Sequence, residues 1–208
     1  MIHMFRGAQA PGSNLVLDAM HRDRKHVFVD LLKWDVPVIN DVFEIDQFDD
    51  ERAIYLVAAD ADGEHRGSIG LLPTDGPHIL ATIFPDLCDG GVPRSTNIYE
   101  ISRGCLSMRL RAPERLAVRT ALTTAAVEFA LMHDIHAFTC IADSGWLSQV
   151  LALGWNCRPL GLPRKIGRSL TGALRIDITP ETPHLLRDAG TYTSAPLVTA
   201  DMRAQVLA

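Results

Sequence analysis

The 208-residue chain lacks most of the features that mark the common enzyme classes. Its four cysteines, Cys88, Cys105, Cys140 and Cys157, lie far apart and form no C-x-x-C pair, which excludes a disulfide framework or a zinc knuckle as the basis of the fold. They read as buried thiols. His133 and His136 have no second ligand pair, so no metal site is expected. No apolar run approaches the roughly 20 residues that cross a bilayer. The start, Met1-Ile2-His3-Met4-Phe5-Arg6, lacks the basic-then-apolar order of a signal peptide, so a cytoplasmic protein without membrane insertion is expected. A dinucleotide-type glycine turn, a Walker loop, a G-x-S-x-G elbow and an H-E-x-x-H helix are all missing, as are repeats and low-complexity tracts.

What is present is the composition of an ordinary globular domain, 47% apolar and 22% charged, which excludes disorder. One domain over residues 1–208 is expected, with the Thr-, Pro- and Ala-rich stretch after Pro180 as a flexible C-terminal extension. The net charge of -5 is unevenly spread. Acids outnumber bases across residues 18–64, whereas residues 94–119 hold Arg94, Arg103, Arg109, Arg111, Arg115 and Arg119 against Glu100 and Glu114. The last four arginines suit an acidic or phosphorylated partner, the alternative being a solvated helix face. A nucleic-acid partner is not expected from an acidic chain without a recognised motif.

Apolar periodicity organises the chain. Residues 13–34 carry Leu17, Met20, Val27, Phe28 and Leu31 at helical spacing. Residues 54–59 and 67–72 read as a hairpin around Asp60-Ala61-Asp62-Gly63, and residues 78–84 and 96–106 as two further strands. A long helix follows Pro113, with Leu116, Ala117, Ala121, Leu122, Ala125, Phe129 and Met132 as its apolar stripe. Residues 137–142 read as a strand, 144–153 as a helix stopped by Gly154, and 172–178 as a last strand. Residues 161–168 read as a basic loop. The fold class is α/β or α+β, a mixed sheet with helices on its faces.

Two stretches go further than composition. Arg24, Phe28 and Trp34 followed by Asp46-Gln47-Phe48-Asp49-Asp50, then Leu71-Leu72-Pro73-Thr74 and Tyr99-Glu100-Ile101-Ser102-Arg103, resemble in order and spacing the acyl-homoserine-lactone synthases, the LuxI-type autoinducer synthases. The likeness covers about residues 1–177, and Gly154-Trp155 and Leu160-Gly161 suit the family's ending. The resemblance implies an N-acetyltransferase-like three-layer sandwich whose sheet splays beside a β-bulge. It also implies quorum-sensing signal synthesis from S-adenosylmethionine and an acyl thioester on acyl carrier protein or coenzyme A. S-adenosylmethionine is then a substrate, and neither cofactor nor metal is needed.

The substrate amine must lose a proton before it attacks a thioester, because an ammonium has no lone pair. Glu100 is the candidate base, the alternative being an ion pair with Arg103. Backbone N–H groups near Ser102 and Arg103 are the candidate oxyanion donors, since no His or Asp gives the Ser102 hydroxyl a triad. The resemblance implies that Arg24, Phe28, Trp34 and Phe84 bind S-adenosylmethionine and that Asp46 and Asp49 organise the site. It also places Cys140, Ile141 and Trp146 along the acyl tunnel, and Arg109, Arg111, Arg115 and Arg119 gain a role as the carrier-binding face. A thiol at Cys140, where relatives selective for 3-oxo chains have a threonine, argues against that substituent. The Trp146 indole argues for a short, branched or aromatic acyl group. One departure stands out: Gly70 occupies the position before Leu71 where relatives carry an arginine. It keeps open a non-catalytic ligand-binding relative, beside an N-acyltransferase acting on another amine.

Overall fold

The computed structural model describes residues 1–7, 9–194 and 197–199. In chain order the elements are β1 (Ile2–Arg6), α1 (Leu15–Arg24), which continues as a π-helical segment Lys25–Leu31, β2 (Val38–Ile39), β3 (Phe43–Glu44), β4 (Ile54–Ala59) and β5 (His65–Pro73). Next come α2 (Ile79–Thr82), a 3-10 turn Pro85–Leu87, β6 (Ile98–Leu106), α3 (Ala112–Met132), β7 (Ala137–Asp143) and α4 (Ser144–Leu151). β8 (Asn156–Pro159), β9 (Arg164–Ile166), β10 (Ser169–Asp177), α5 (Thr182–Asp188) and β11 (Leu197–Thr199) complete the chain.

The residues group into two compact units, and β5, β6 and α3 each begin in one and end in the other. The first unit holds residues 1–70, 103–125 and those after 193; its strand order is β11-β1-β4-β5-β6. There β1 pairs parallel with β11 and antiparallel with β4, Ile2 opposite Ala58 and Arg6 opposite Ile54. All six residues of β4 are buried, which is why its sequence is an unbroken apolar run. The second unit holds residues 71–102 and 126–193, with strand order β5-β6-β7-β10-β8 and β9 on β10. There β6 and β7 are parallel, Glu100 opposite Thr139, while β10 runs antiparallel to β7, Ala173 opposite Ile141. The sheet is therefore mixed.

Local chemistry explains the element starts. Asn14 accepts the Val16 and Leu17 N–H groups as the N-cap of α1, and Asp143 accepts those of Gly145 and Trp146 for α4. The α3 stripe is real but rotated from the expected one. Val118, Leu122, Ala125, Ala126, Phe129 and Ala130 are buried, while Leu116 and Met132 are exposed.

Residues 78–84 are not a strand; they form α2, and Pro85 starts the 3-10 turn. The basic stretch 161–168 is not all loop, because β9 turns back onto β10 through Gly167 at φ +58°. β1 pairs along its whole length, although the sequence reading placed no strand there. Of the stretch after Pro180, residues 182–188 form α5 with Leu186 fully buried, and the Thr191 hydroxyl donates to the Leu153 carbonyl. Residues 195–196 and 200–208 lie outside the described residues.

Candidate active site

In the first unit, five charged side chains meet inside the fold. Arg24 is 2% exposed and each of its three guanidinium nitrogens is bonded to a carboxylate. Its Nε reaches Glu44 Oε2 at 2.5 Å, and Nη1 and Nη2 reach the two oxygens of Asp49 at 2.8 and 2.9 Å. The other oxygen of Glu44 accepts from Arg103 Nε at 3.0 Å, and Arg103 Nη2 donates to Asp46. Asp49 also accepts from the Asp46 backbone N–H and from the Tyr55 hydroxyl, at 2.9 Å each. Glu44, fully buried, is thus the bridge between the two arginines. Sequence reasoning missed it: a single acid beside two short strands carries no periodic or motif signal.

The network holds three carboxylates against two guanidiniums. Arg66 does not supply a third cation, because it pairs with Glu114 at 3.1 Å. His21 lies close by, its Nδ1 3.0 Å from the Glu44 carbonyl oxygen, but burial and the Arg24 charge lower its pKa below the usual 6.5. Burial raises the Asp46 carboxyl, with Asp49 and Glu44 adding to the rise against Arg103. Asp49 moves the other way; although burial opposes it, the Arg24 charge and hydrogen bonds hold its carboxyl well below the usual range.

These shifts set an acid sensitivity. Below the ordinary histidine value of 6.5 the unfolded chain protonates His21 before the fold does, so stability declines with falling pH. Below the ordinary aspartate value of 3.8 the Asp49 contribution is lost as well, while the raised Asp46 opposes the trend. Urea midpoints measured at about pH 7.5, 5.5 and 4 should therefore fall in that order; a flat profile contradicts the assignment.

An aromatic pair adjoins the network. The π-helical segment presents Phe28, its carbonyl accepts the Trp34 N–H at 2.8 Å, and the two rings stack at 4.7 Å and 8°. The Arg103 guanidinium carbon lies 5.9 Å from both ring centroids. Phe28 is buried, whereas Trp34 is 42% exposed and presents an open aromatic surface. Arg103 takes a left-handed backbone conformation, φ +48°, in the middle of β6. The β6–β7 ladder runs from Ile98 to Ile101 while β6 itself continues to Leu106, so Ser102 and Arg103 lie just past the end of that ladder.

The second unit holds the other candidates. Glu100 is 1% exposed, and one of its carboxylate oxygens accepts the Leu80 N–H at 2.8 Å. Leu80, Leu87 and Ala173 form a buried apolar cluster, against which Phe84, Cys88, Val92, Ile141, Leu160 and Ile166 pack half-buried. Phe84 thus stands with Ile141. Side chains alternate across a strand and register partners share a face, so Glu100, Thr139, Ile141 and Ala173 lie on one face and Cys140 on the other. The hydroxyl on the cluster's face belongs to Thr139, which is fully buried with an oxygen that has no hydrogen-bond partner among the described residues. Trp146 is half-buried at the start of α4 and is not among the side chains packed on the cluster.

The four downstream arginines do not form one free patch. Arg109 makes two bonds to Asp23, at 2.9 and 3.1 Å, and Arg115 donates to the Ser107 carbonyl. Arg111 is 88% exposed beside Glu114, and Arg119 is half-buried. The same Asp23 meets His65 at 2.8 Å, and His65 meets Ser68 at 3.0 Å. That order imitates a nucleophilic triad, but Ser68 is 1% exposed and no substrate can reach it, so it braces the fold. Among the described residues no group of His, Cys, Asp or Glu is arranged to hold a metal, and no helix is long and apolar enough to cross a membrane.

Comparison with known proteins places this geometry. Residues 10–185 match the autoinducer synthase family. An acyl-homoserine-lactone synthase of Ralstonia nicotianae is 40% identical over 171 residues, 79% of this chain and 83% of that protein. The isovaleryl-homoserine lactone synthase of Bradyrhizobium diazoefficiens is 31% identical over 192 residues, 90% of this chain and 84% of that one. Among solved structures, the CoA-dependent synthase BjaI with SAM and isopentyl-CoA superposes with a TM-score of 0.83 at 29% identity, covering 99% of both chains. An N-acetyltransferase of Lactobacillus plantarum, 14% identical with a TM-score of 0.55 over 86% of this chain and 99% of that one, shares the fold.

Proposed function

The chain belongs to the autoinducer synthase family and is an acyltransferase that makes acyl-homoserine lactone, and from that premise we propose that it joins S-adenosylmethionine to a short branched acyl group delivered on coenzyme A. The observation that carries the donor assignment is the likeness, over 99% of both chains, to a CoA-dependent synthase bound to isopentyl-CoA. The isovaleryl-homoserine lactone synthase among the relatives supports the same chain.

The first unit suits S-adenosylmethionine, whose sulfonium and ammonium together outweigh its carboxylate. Three carboxylates against two guanidiniums leave a local negative excess, and such a cation restores the balance. Trp34 offers its exposed face to the sulfonium or the adenine. Arg24 acts as a positioning residue, since each of its guanidinium nitrogens is engaged by Glu44 or Asp49 and its side chain is buried.

In the first step the α-amino nitrogen attacks the thioester carbonyl and Glu100 takes the amine proton. N–H groups of Ser102 and Arg103, just past the end of the β6–β7 ladder, stabilise the oxyanion; the C–S bond breaks, and the departing thiolate takes up the proton shed by the new amide nitrogen and leaves as the thiol. In the second step the methionyl carboxylate attacks the carbon beside the sulfonium. The C–S bond there breaks, methylthioadenosine leaves, and the lactone closes; this step needs positioning more than acid or base. The apolar cluster around Leu80 and Ile141 receives the acyl chain.

Thr139 supplies an internal check. An unmet buried hydroxyl costs about 1–3 kcal/mol, so Thr139→Val should leave the melting temperature unchanged or raised. If the hydroxyl serves the substrate, turnover should nevertheless fall about tenfold. Unchanged turnover removes Thr139 from the site. For the donor, short branched, short straight, aromatic and long acyl groups on coenzyme A and on acyl carrier protein are mixed with S-adenosylmethionine and the products read by mass spectrometry. A branched product drawn from coenzyme A is expected; preference for the carrier protein or for long chains contradicts the assignment.

A further inference from the structure

Helix α2 begins without a cap of its own. His78 stands at the N-cap position with extended backbone, φ -150° and ψ 165°, but its side chain makes no capping bond to the helix. The first-turn N–H of Leu80 is instead taken by the Glu100 carboxylate, which reaches across from β6 at 2.8 Å in a buried setting. A four-residue helix has little cooperativity and depends on tertiary contacts, so a charge-assisted bond at its start fixes where it lies. Leu80 is fully buried in the apolar cluster, and Phe84, Cys88 and Val92, which pack against that cluster, follow it on the same stretch of chain. Thr139, the register partner of Glu100, and Ile141 and Ala173 face the same side.

We propose that Glu100 is a positioning residue for acyl selection as well as the base: by capping α2 from β6 it fixes the wall formed by Leu80, Phe84, Cys88 and Val92, and so decides which acyl chains the cluster accepts. This rests on the reading that the cluster receives the acyl group. It separates two duties of one carboxylate, since accepting an N–H bond needs only an oxygen, whereas accepting the amine proton needs a carboxylate. Glutamine preserves the first and removes the second.

The test compares Glu100→Gln and Glu100→Ala with the wild type in two ways that need no turnover. Hydrogen exchange read by mass spectrometry reports the amides of residues 79–84 in the unliganded protein. Calorimetry reports binding of a short branched and of a long straight acyl-CoA. Loss of the cap should speed exchange of that segment, and shift the ratio of the two affinities, by about tenfold in the alanine variant. The glutamine variant should keep wild-type exchange and the wild-type ratio while losing turnover.

An alanine variant with unchanged exchange, or with faster exchange and an unchanged ratio, overturns the proposal. So does a glutamine variant that loses the ratio as fully as alanine does. If alanine does not fold, Glu100→Asp, one methylene short of the Leu80 amide, is read against the same criteria. Failure of the wild type to bind any acyl-CoA overturns the functional reading and the selection role with it, while the exchange result still decides whether Glu100 caps α2.

Discussion

Arg24→Met should lower the unfolding free energy by about 3–5 kcal/mol at neutral pH, the usual cost of removing one member of a buried ion pair. Methionine nearly fills the arginine's volume, so little of the loss comes from a cavity. The cost comes from Glu44, fully buried, and Asp49, whose side chain is 7% exposed: both lose their shared guanidinium, Glu44 keeping Arg103 and Asp49 keeping the Tyr55 hydroxyl and the Asp46 N–H. They must then take up protons or move toward water, and the β3 to β4 segment that carries them loosens. Urea unfolding measures the loss, and its size should shrink as pH falls toward the range where carboxylates protonate unaided. A loss under about 1 kcal/mol means that Arg24 is not the keystone of this network. Sulfonium binding should weaken in the same variant, through misplacement of Asp46 and Asp49 and not through a lost direct contact.

Glu100→Gln carries the second large effect. Turnover should fall by about a hundredfold to ten-thousandfold, the range that one positioned proton acceptor supplies. The amide oxygen of the introduced glutamine still accepts the Leu80 N–H, so the urea midpoint should barely move. The loss should appear in kcat and kcat/KM alike, with KM for both substrates within a few-fold of wild type. Raising the pH should recover part of the lost rate, because more of the amine is then deprotonated without help. A variant within about threefold of wild-type turnover removes Glu100 from proton transfer and leaves it its place at α2 alone.

The parts of the fold legible in the sequence are those whose signal is local. β4 is apolar because both its faces are buried, α3 repeats its apolar residues at helical spacing, and Gly154 follows α4 where a helix must end. β1 and α2 were illegible for a physical reason. β1 is defined by a partner about fifty residues away, and α2 by a carboxylate twenty residues later. The site divides in the same way. Arg24, Asp46, Asp49 and Arg103 are brought together as the ordered pattern implied, yet Glu44, which joins them, gave no sign of itself. Cys140 and Thr139 differ by one position, and in a strand one position exchanges the faces. In the network Arg24 and Arg103 alone face three carboxylates among the described residues.

The most direct test incubates the purified protein with S-adenosylmethionine and isovaleryl-CoA and quantifies the acyl-homoserine lactone and methylthioadenosine formed together. Equal amounts of the two products, rising in step with free coenzyme A, are expected. Acyl transfer without methylthioadenosine points to another amine acceptor, and bound S-adenosylmethionine and isovaleryl-CoA with no product point to a ligand-binding relative; either result contradicts the synthase chemistry assigned to Glu100 and the arginine–carboxylate network.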